Sequence, residues 1–181
     1  MANRLRPNDL RPLRQWCTDL ALDDIDWTSV FTNLFFNLTN NFKLIQYHYK
    51  LLHKISTCRY IRFKMKIEKD SPICSLCNTN LETLSHIFLE CPVTNTFLLR
   101  LNNFIRTNID HDYDDPLHYF LITLTHSDNR VNFLNAVGIW FIGKRFQNKQ
   151  NLIWDCFAKH VKLFLAGEKR NVVEGFRNIL L

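Results

Sequence analysis

The chain of 181 residues is basic, with a formal charge of +6, and 46% hydrophobic; phenylalanine is abundant (15 copies) while glycine (4) and proline (5) are scarce. Sandwiches and barrels need many turn residues, so this composition excludes an all-β fold and predicts helices around one core, with room for a small satellite module. The N-terminus lacks an apolar signal core, and the longest apolar run, Phe133 to Gly143, is about half a membrane span and contains Asn135, so the expectation is a soluble, intracellular chain with no membrane partner.

Residues 1–15 hold four arginines and two prolines without an apolar period, and read as a flexible basic arm. An N-terminal helical segment is predicted over residues 16–70. Trp16 and Trp27 enclose an acidic patch (Asp19, Asp23, Asp24, Asp26) suited to the positive end of the following helix. From Val30 to about Ile55, Phe31, Leu34, Phe35, Leu38, Phe42, Ile45, Tyr49 and Leu52 recur at spacings of three and four, which predicts one long amphipathic helix. Lys43, Tyr47, Lys50 and Lys54 fall on a neighbouring face. A second basic stretch, Arg59 to Lys69, reads as a short helix and an extended lead-in ending at Ser71-Pro72. Between Lys43 and Asp70 there are eight basic residues against two acids, whereas the rest of the chain is balanced at 15 and 15. The whole excess charge therefore sits in one segment, and a local field of this kind attracts phosphate.

Residues 71–95 carry the most specific pattern, C-x2-C-x8-H-x4-C, formed by Cys74, Cys77, His86 and Cys91. Two cysteines two residues apart make a knuckle turn whose thiolates converge on one tetrahedral ion. The histidine, expected on a short helix from Glu82 to Glu90, and the last cysteine close the site. Four protein ligands leave no open position, so the expected zinc ion is structural. Cys17, Cys58 and Cys156 are scattered and read as reduced thiols.

Residues 96–181 predict a C-terminal helical segment. Pro92 suits a first turn, followed by a stripe of Phe97, Leu98, Leu101, Phe104 and Ile105. Asn108 to Asp115 reads as an acidic loop, with Asp115-Pro116 opening a short helix through Leu124. Further helices are expected from Asn129 to about Asn148 and from Leu152 to about Leu165. A terminal helix is expected to turn Val173, Phe176 and Leu180 inward. The fold class is thus mainly α, a helical domain with a small CCHC zinc knuckle inserted between helices.

The segment CSLCNTNLETLSHIFLECPVTNTF resembles the zinc-binding region that lies C-terminal to the polymerase in non-LTR (LINE-type) retrotransposon reverse transcriptases. Glu82-Thr83, His86-Ile87-Phe88 and Cys91-Pro92 stand where that family has its Glu-Thr pair, its His-(Leu/Ile)-Phe and its Cys-Pro close. WCTDLALDDIDW and the basic helix upstream, and NAVGIWFIGKRFQNK and LAGEKRN downstream, are similar to the family's flanks, so the resemblance spans residues 16 to about 175. It implies a zinc cofactor, RNA or DNA as a partner bound with low sequence specificity, and the polymerase domain of a parent protein as neighbour.

The catalytic pattern of such a polymerase is not seen. Tyr113-Asp114-Asp115 lacks the residue that an aromatic-x-Asp-Asp hairpin needs and reads as a solvated helix-start cluster. The expectation is a binding module and not an enzyme, gripping nucleic acid through Lys43, Lys50, Lys54, Arg59, Arg62, Lys64 and Lys66, with Tyr60 and Phe63 as stacking rings. Taken alone, the same basic face also suits a solvated helix surface. The alternative is therefore a structural or protein-interaction helical domain from a decayed or domesticated element copy.

Overall fold

The computed structural model describes residues 10–69, 71–115, 118–168, 170–176 and 179. Among them helices dominate, and the extended backbone pairs at one isolated antiparallel bridge, Ile73 with Leu81. The expected mainly-α class is the observed one.

Helix α1, Arg11–Asp19, begins inside the stretch expected to be a flexible arm. Leu13, Trp16 and Leu20 recur at helical spacing and are almost fully buried, while Arg11 and Arg14 occupy the outer face. The arm reading is thus corrected for Arg11 to Gln15, and residues 1–9 lie outside the described residues. Trp16 also anchors the helix, its indole N–H donating to the Leu52 carbonyl at 3.1 Å.

Helix α2, Trp27–Thr32, starts as the acidic patch suggested: the Asp26 carboxylate accepts from the backbone N–H groups of Thr28 and Ser29. It runs on as a π-helical turn, Asn33–Asn37, and stops. The single long helix expected from Val30 to Ile55 is two, because polar residues at 39–41 find better partners outside a helix. The Glu168 carboxylate accepts from the Asn40 N–H and the Thr39 hydroxyl, and Thr39 Oγ1 in turn accepts from the Asn41 N–H. Asn41 then caps helix α3, Phe42–Leu52, through the Lys43 N–H.

The break resets the helical phase. The core face of α3 is Leu44, His48, Leu51 and Leu52, while Phe35, Phe42 and Tyr49, expected inside, are 45%, 69% and 37% exposed. His48 is buried without charge: its Nε2 meets the Ile122 carbonyl at 2.6 Å, and burial lowers its pKa to about 4. Helix α4, Arg59–Lys64, follows.

After the metal-ligand segment come α5 (Pro92–Asn108), α6 (Tyr119–Thr123), α7 (Asn129–Gln147), α8 (Trp154–Leu165) and α9 (Arg170–Gly175). Every residue from Val131 to Ile139 is buried, so α7 is the central rod, packed by α3, α6 and α8 and by the turn His86–Glu90. Two corrections fall here. Asp115 is buried, not solvated; it accepts from the Phe120 N–H at 2.7 Å, and burial raises its pKa to about 6. Val173 is exposed, whereas Phe176 packs on Phe133 at 5.7 Å; Leu180 lies outside the described residues.

Glycine is required where α3 meets α7. A Cβ on Gly143 would lie 1.5 Å from Tyr47 Oη. Gly143→Ala must therefore displace the Tyr47 ring and should cost about 1–3 kcal/mol, a typical overpacking penalty. Urea denaturation of the two proteins checks this.

Candidate metal centre

The ligand segment is built from short-range hydrogen bonds. The Cys74 N–H donates to the Asn80 carbonyl at 2.8 Å and the Asn78 N–H to the Cys74 carbonyl at 3.0 Å, folding residues 74–80 into a knuckle. Asn78 takes the left-handed conformation (φ 57°) that this turn demands, and asparagine tolerates it better than most residues. Thr83 Oγ1 accepts from the His86 N–H at 3.0 Å and so starts the helical turn that carries the histidine.

That turn, His86–Glu90, is π-helical, with the Cys91 N–H donating to the His86 carbonyl at 2.7 Å. In an ordinary α-helix, residues five apart point about 140° away from one another. The widened turn brings His86 and Cys91 to the same side, a frequent use of π-bulges at functional sites. Cys91 then opens α5, its carbonyl accepting from the Asn95 N–H at 2.8 Å.

Cys74, Cys77, His86 and Cys91 converge, with one ligand atom from each lying within 4.8 Å of all the others. Cys74 and Cys91 Sγ are 4.0 Å apart, and Cys77 Sγ is 3.3 Å from His86 Nε2. Zinc bonds of about 2.3 Å to sulfur and about 2.0–2.1 Å to nitrogen put tetrahedral neighbours about 3.5–3.8 Å apart. Three thiols and one imidazole at these separations fit a closed zinc site. Nδ1 of His86, buried and without a hydrogen bond among the described residues, has the Glu90 carboxylate 3.8 Å away. That carboxylate favours the tautomer in which Nε2 faces the ligand cluster.

The thiols are unequally poised. Burial pushes Cys74 up to about 12. Burial also acts upward on Cys77, but hydrogen bonds from the Thr79 hydroxyl and backbone and from Cys74 bring it down to about 6. A bound cation favours the thiolate at every position, so metal uptake releases protons. The remaining cysteines, Cys17, Cys58 and Cys156, are free thiols.

Sequence reasoning missed Glu82, which is 4% exposed. Its carboxylate accepts from the Arg59 N–H at 3.0 Å and the Ser75 N–H at 3.3 Å, tying α4 to the knuckle. The Glu-Thr pair was visible in the sequence, but its task depends on contacts 7 and 23 residues away.

The basic residues do not form the single track expected. Lys43 and Lys50 are exposed on α3. Lys54 leaves that face: at φ 51° beyond the helix end, it pairs with Asp19 at 2.6 Å and lies over the Trp16 ring. Arg59 turns inward, donating to the Ile73 carbonyl, and Arg62 pairs with Glu68 at 3.4 Å. Tyr60 is half-buried beneath the Lys64 ammonium, while Phe63, Lys64 and Lys66 are exposed. The α3 lysines instead share a groove of about 610 Å³ with Trp140, Lys144 and Gln147 of α7, residues too distant in sequence to be joined to them by periodicity.

Residues 23–97 match the family model described as zinc-binding in reverse transcriptase. Over that stretch the chain is similar to a reverse-transcriptase zinc-binding region. The match embraces all four ligands and also α2, α3 and α4, so the helices in front of the knuckle belong to the same unit. The likeness read beyond Phe97 lies outside it. No curated protein and no solved structure matches the chain. Among the described residues no helix is long and apolar enough to cross a membrane.

Proposed function

We propose that this chain is the nucleic-acid-binding C-terminal region of a LINE-type, non-LTR reverse transcriptase, with zinc holding its helices in place. Its part is to hold RNA or DNA beside a polymerase domain, inside the cell, with weak sequence preference; catalysis belongs elsewhere. The observation that carries this reading is the groove between α3 and α7, where Lys43, Lys50 and Lys144 converge and no carboxylate is among the lining residues. Lysines gathered on a neutral wall create the field that phosphate seeks. Asp115, the acid most suggestive of a catalytic cluster, is occupied at the start of α6, which supports a binding role over an enzymatic one.

The competing reading, a helical protein-interaction domain from a decayed or domesticated copy, draws on Phe36 and Phe42, which are 81% and 69% exposed. Salt separates the two. If phosphates are bound, the logarithm of RNA affinity should fall linearly with the logarithm of salt, by about 0.7 for each phosphate neutralised on a single strand. Fluorescence anisotropy of the zinc-loaded chain with RNA and DNA oligonucleotides at 50 and 200 mM salt measures this. A chain that binds neither at low salt returns the interaction-domain reading.

A further inference from the structure

Beside the basic groove lies a second feature that the expected track did not include. Phe31 and Phe35, from α2 and its π-turn, meet Tyr49 and His53 from the end of α3: Phe35 and Tyr49 have ring centroids 5.9 Å apart, and Tyr49 and His53 4.3 Å. Around α3, Tyr49, Phe42, Gln46, Lys50, Lys43 and then Tyr47 follow one another by helical spacing, so the aromatic edge adjoins the lysine edge and Tyr47 leads into the groove against α7. Phe35 and Tyr49 keep 45% and 37% of their surface exposed. Neither Lys43 nor Lys50 pairs with an acid among the described residues. Among the described residues Lys144 donates to the uncharged Gln147 amide at 3.4 Å.

Resting on the reading above, we infer that the ligand is single-stranded nucleic acid lying along α3, with its phosphates in the groove at Lys43, Lys50 and Lys144 and an unpaired base against the Phe35–Tyr49 edge. Charge alone does not choose between strands and duplexes; the rings do. Exposed aromatic faces beside a cationic groove are the elements of sequence-tolerant single-strand binding, and a duplex hides its base faces within its own stack. Arg59 and Arg62 are left off this path because they are engaged with the Glu68 carboxylate, at 4.0 and 3.4 Å, which Lys149 also approaches at 3.9 Å.

The test uses the zinc-loaded full chain with labelled oligo(U), oligo(dT) and a blunt RNA duplex of equal length, in anisotropy titrations at two salt concentrations. Circular dichroism and zinc content confirm that each variant is folded. Lys43→Gln, Lys50→Gln and Lys144→Gln combined should lower the single-strand salt slope by about 2. Phe35→Ala should weaken single-strand binding about 5- to 150-fold, the range for loss of one stacked base, and leave the slope unchanged. The duplex should bind less tightly than either strand and be indifferent to Phe35→Ala. Lysine variants that bind as the parent does, while Arg62→Gln, Lys64→Gln and Lys66→Gln combined abolish binding, overturn this path but keep the nucleic-acid reading. Tighter binding of the duplex overturns the single-strand assignment. A Phe35→Ala variant that alters self-association and leaves RNA affinity intact marks the edge as protein-facing and also overturns it. Failure of the parent chain to bind any of the three removes both readings.

Discussion

Removing zinc should unfold the segment from Ser71 to Cys91 and lower the melting temperature by about 10–20 °C. The segment's extended backbone pairs at one isolated bridge, Ile73 with Leu81, and without the ion the fully buried Cys74 and Cys91 lose the partner that holds their thiolates together. Structural zinc contributes about 10–16 kcal/mol in isolated zinc-finger peptides. The packing of Ile87 and Phe88, both under 5% exposed, survives part of the loss, so a net cost nearer 5 kcal/mol is reasonable. In a chain of this size that corresponds to the stated shift. His86→Ala and Cys77→Ser should act in the same way as a chelator and should not add to it. Acid should weaken the metal site, because protons compete with zinc for the three thiolates; the bound ion keeps them deprotonated at neutral pH, and zinc is lost as the pH falls into the acid range. Amide exchange with and without chelator should show fast exchange gained in residues 73–91, with α7 still protected.

The second large effect is expected at Glu82. Glu82→Ala strips the acceptor from two backbone donors, Arg59 N–H and Ser75 N–H, and leaves them in a site that is nearly closed. Each buried orphan costs about 1–3 kcal/mol, so a loss of about 3 kcal/mol is expected. Because Ser75 lies within the knuckle, zinc affinity should also fall about 10- to 100-fold, the usual consequence of losing a supporting contact around a metal. Leu81→Ala, next door but 44% exposed, is the control and should change neither quantity much. Competition with a fluorescent zinc chelator gives the affinity, and thermal melts give the stability.

What could be read from the residues followed from how local the cause was. The C-x2-C turn is made by bonds across six residues or fewer, and its spacing announced it. The apolar stripe of α5 was equally plain. The break before α3 was not, because its decisive partner, Glu168, lies 128 residues away from Asn40. The same distance problem misplaced Lys54, whose helical register pointed to the α3 face until Asp19 and Trp16 claimed its ammonium. Lys144 could not be joined to Lys43 and Lys50 by any periodicity, since only the packing of α3 on α7 brings them together. Glu82 was noticed as half of a pair and not as a clamp, since a carboxylate's burial is not written in its neighbours.

Zinc K-edge absorption of the purified full chain tests the account most directly, since the knuckle is held by these four ligands. The expected spectrum has three sulfur scatterers at about 2.3 Å and one nitrogen at about 2.0–2.1 Å, with one zinc per chain. A shell containing oxygen, a four-sulfur shell, or a folded chain without zinc would contradict it.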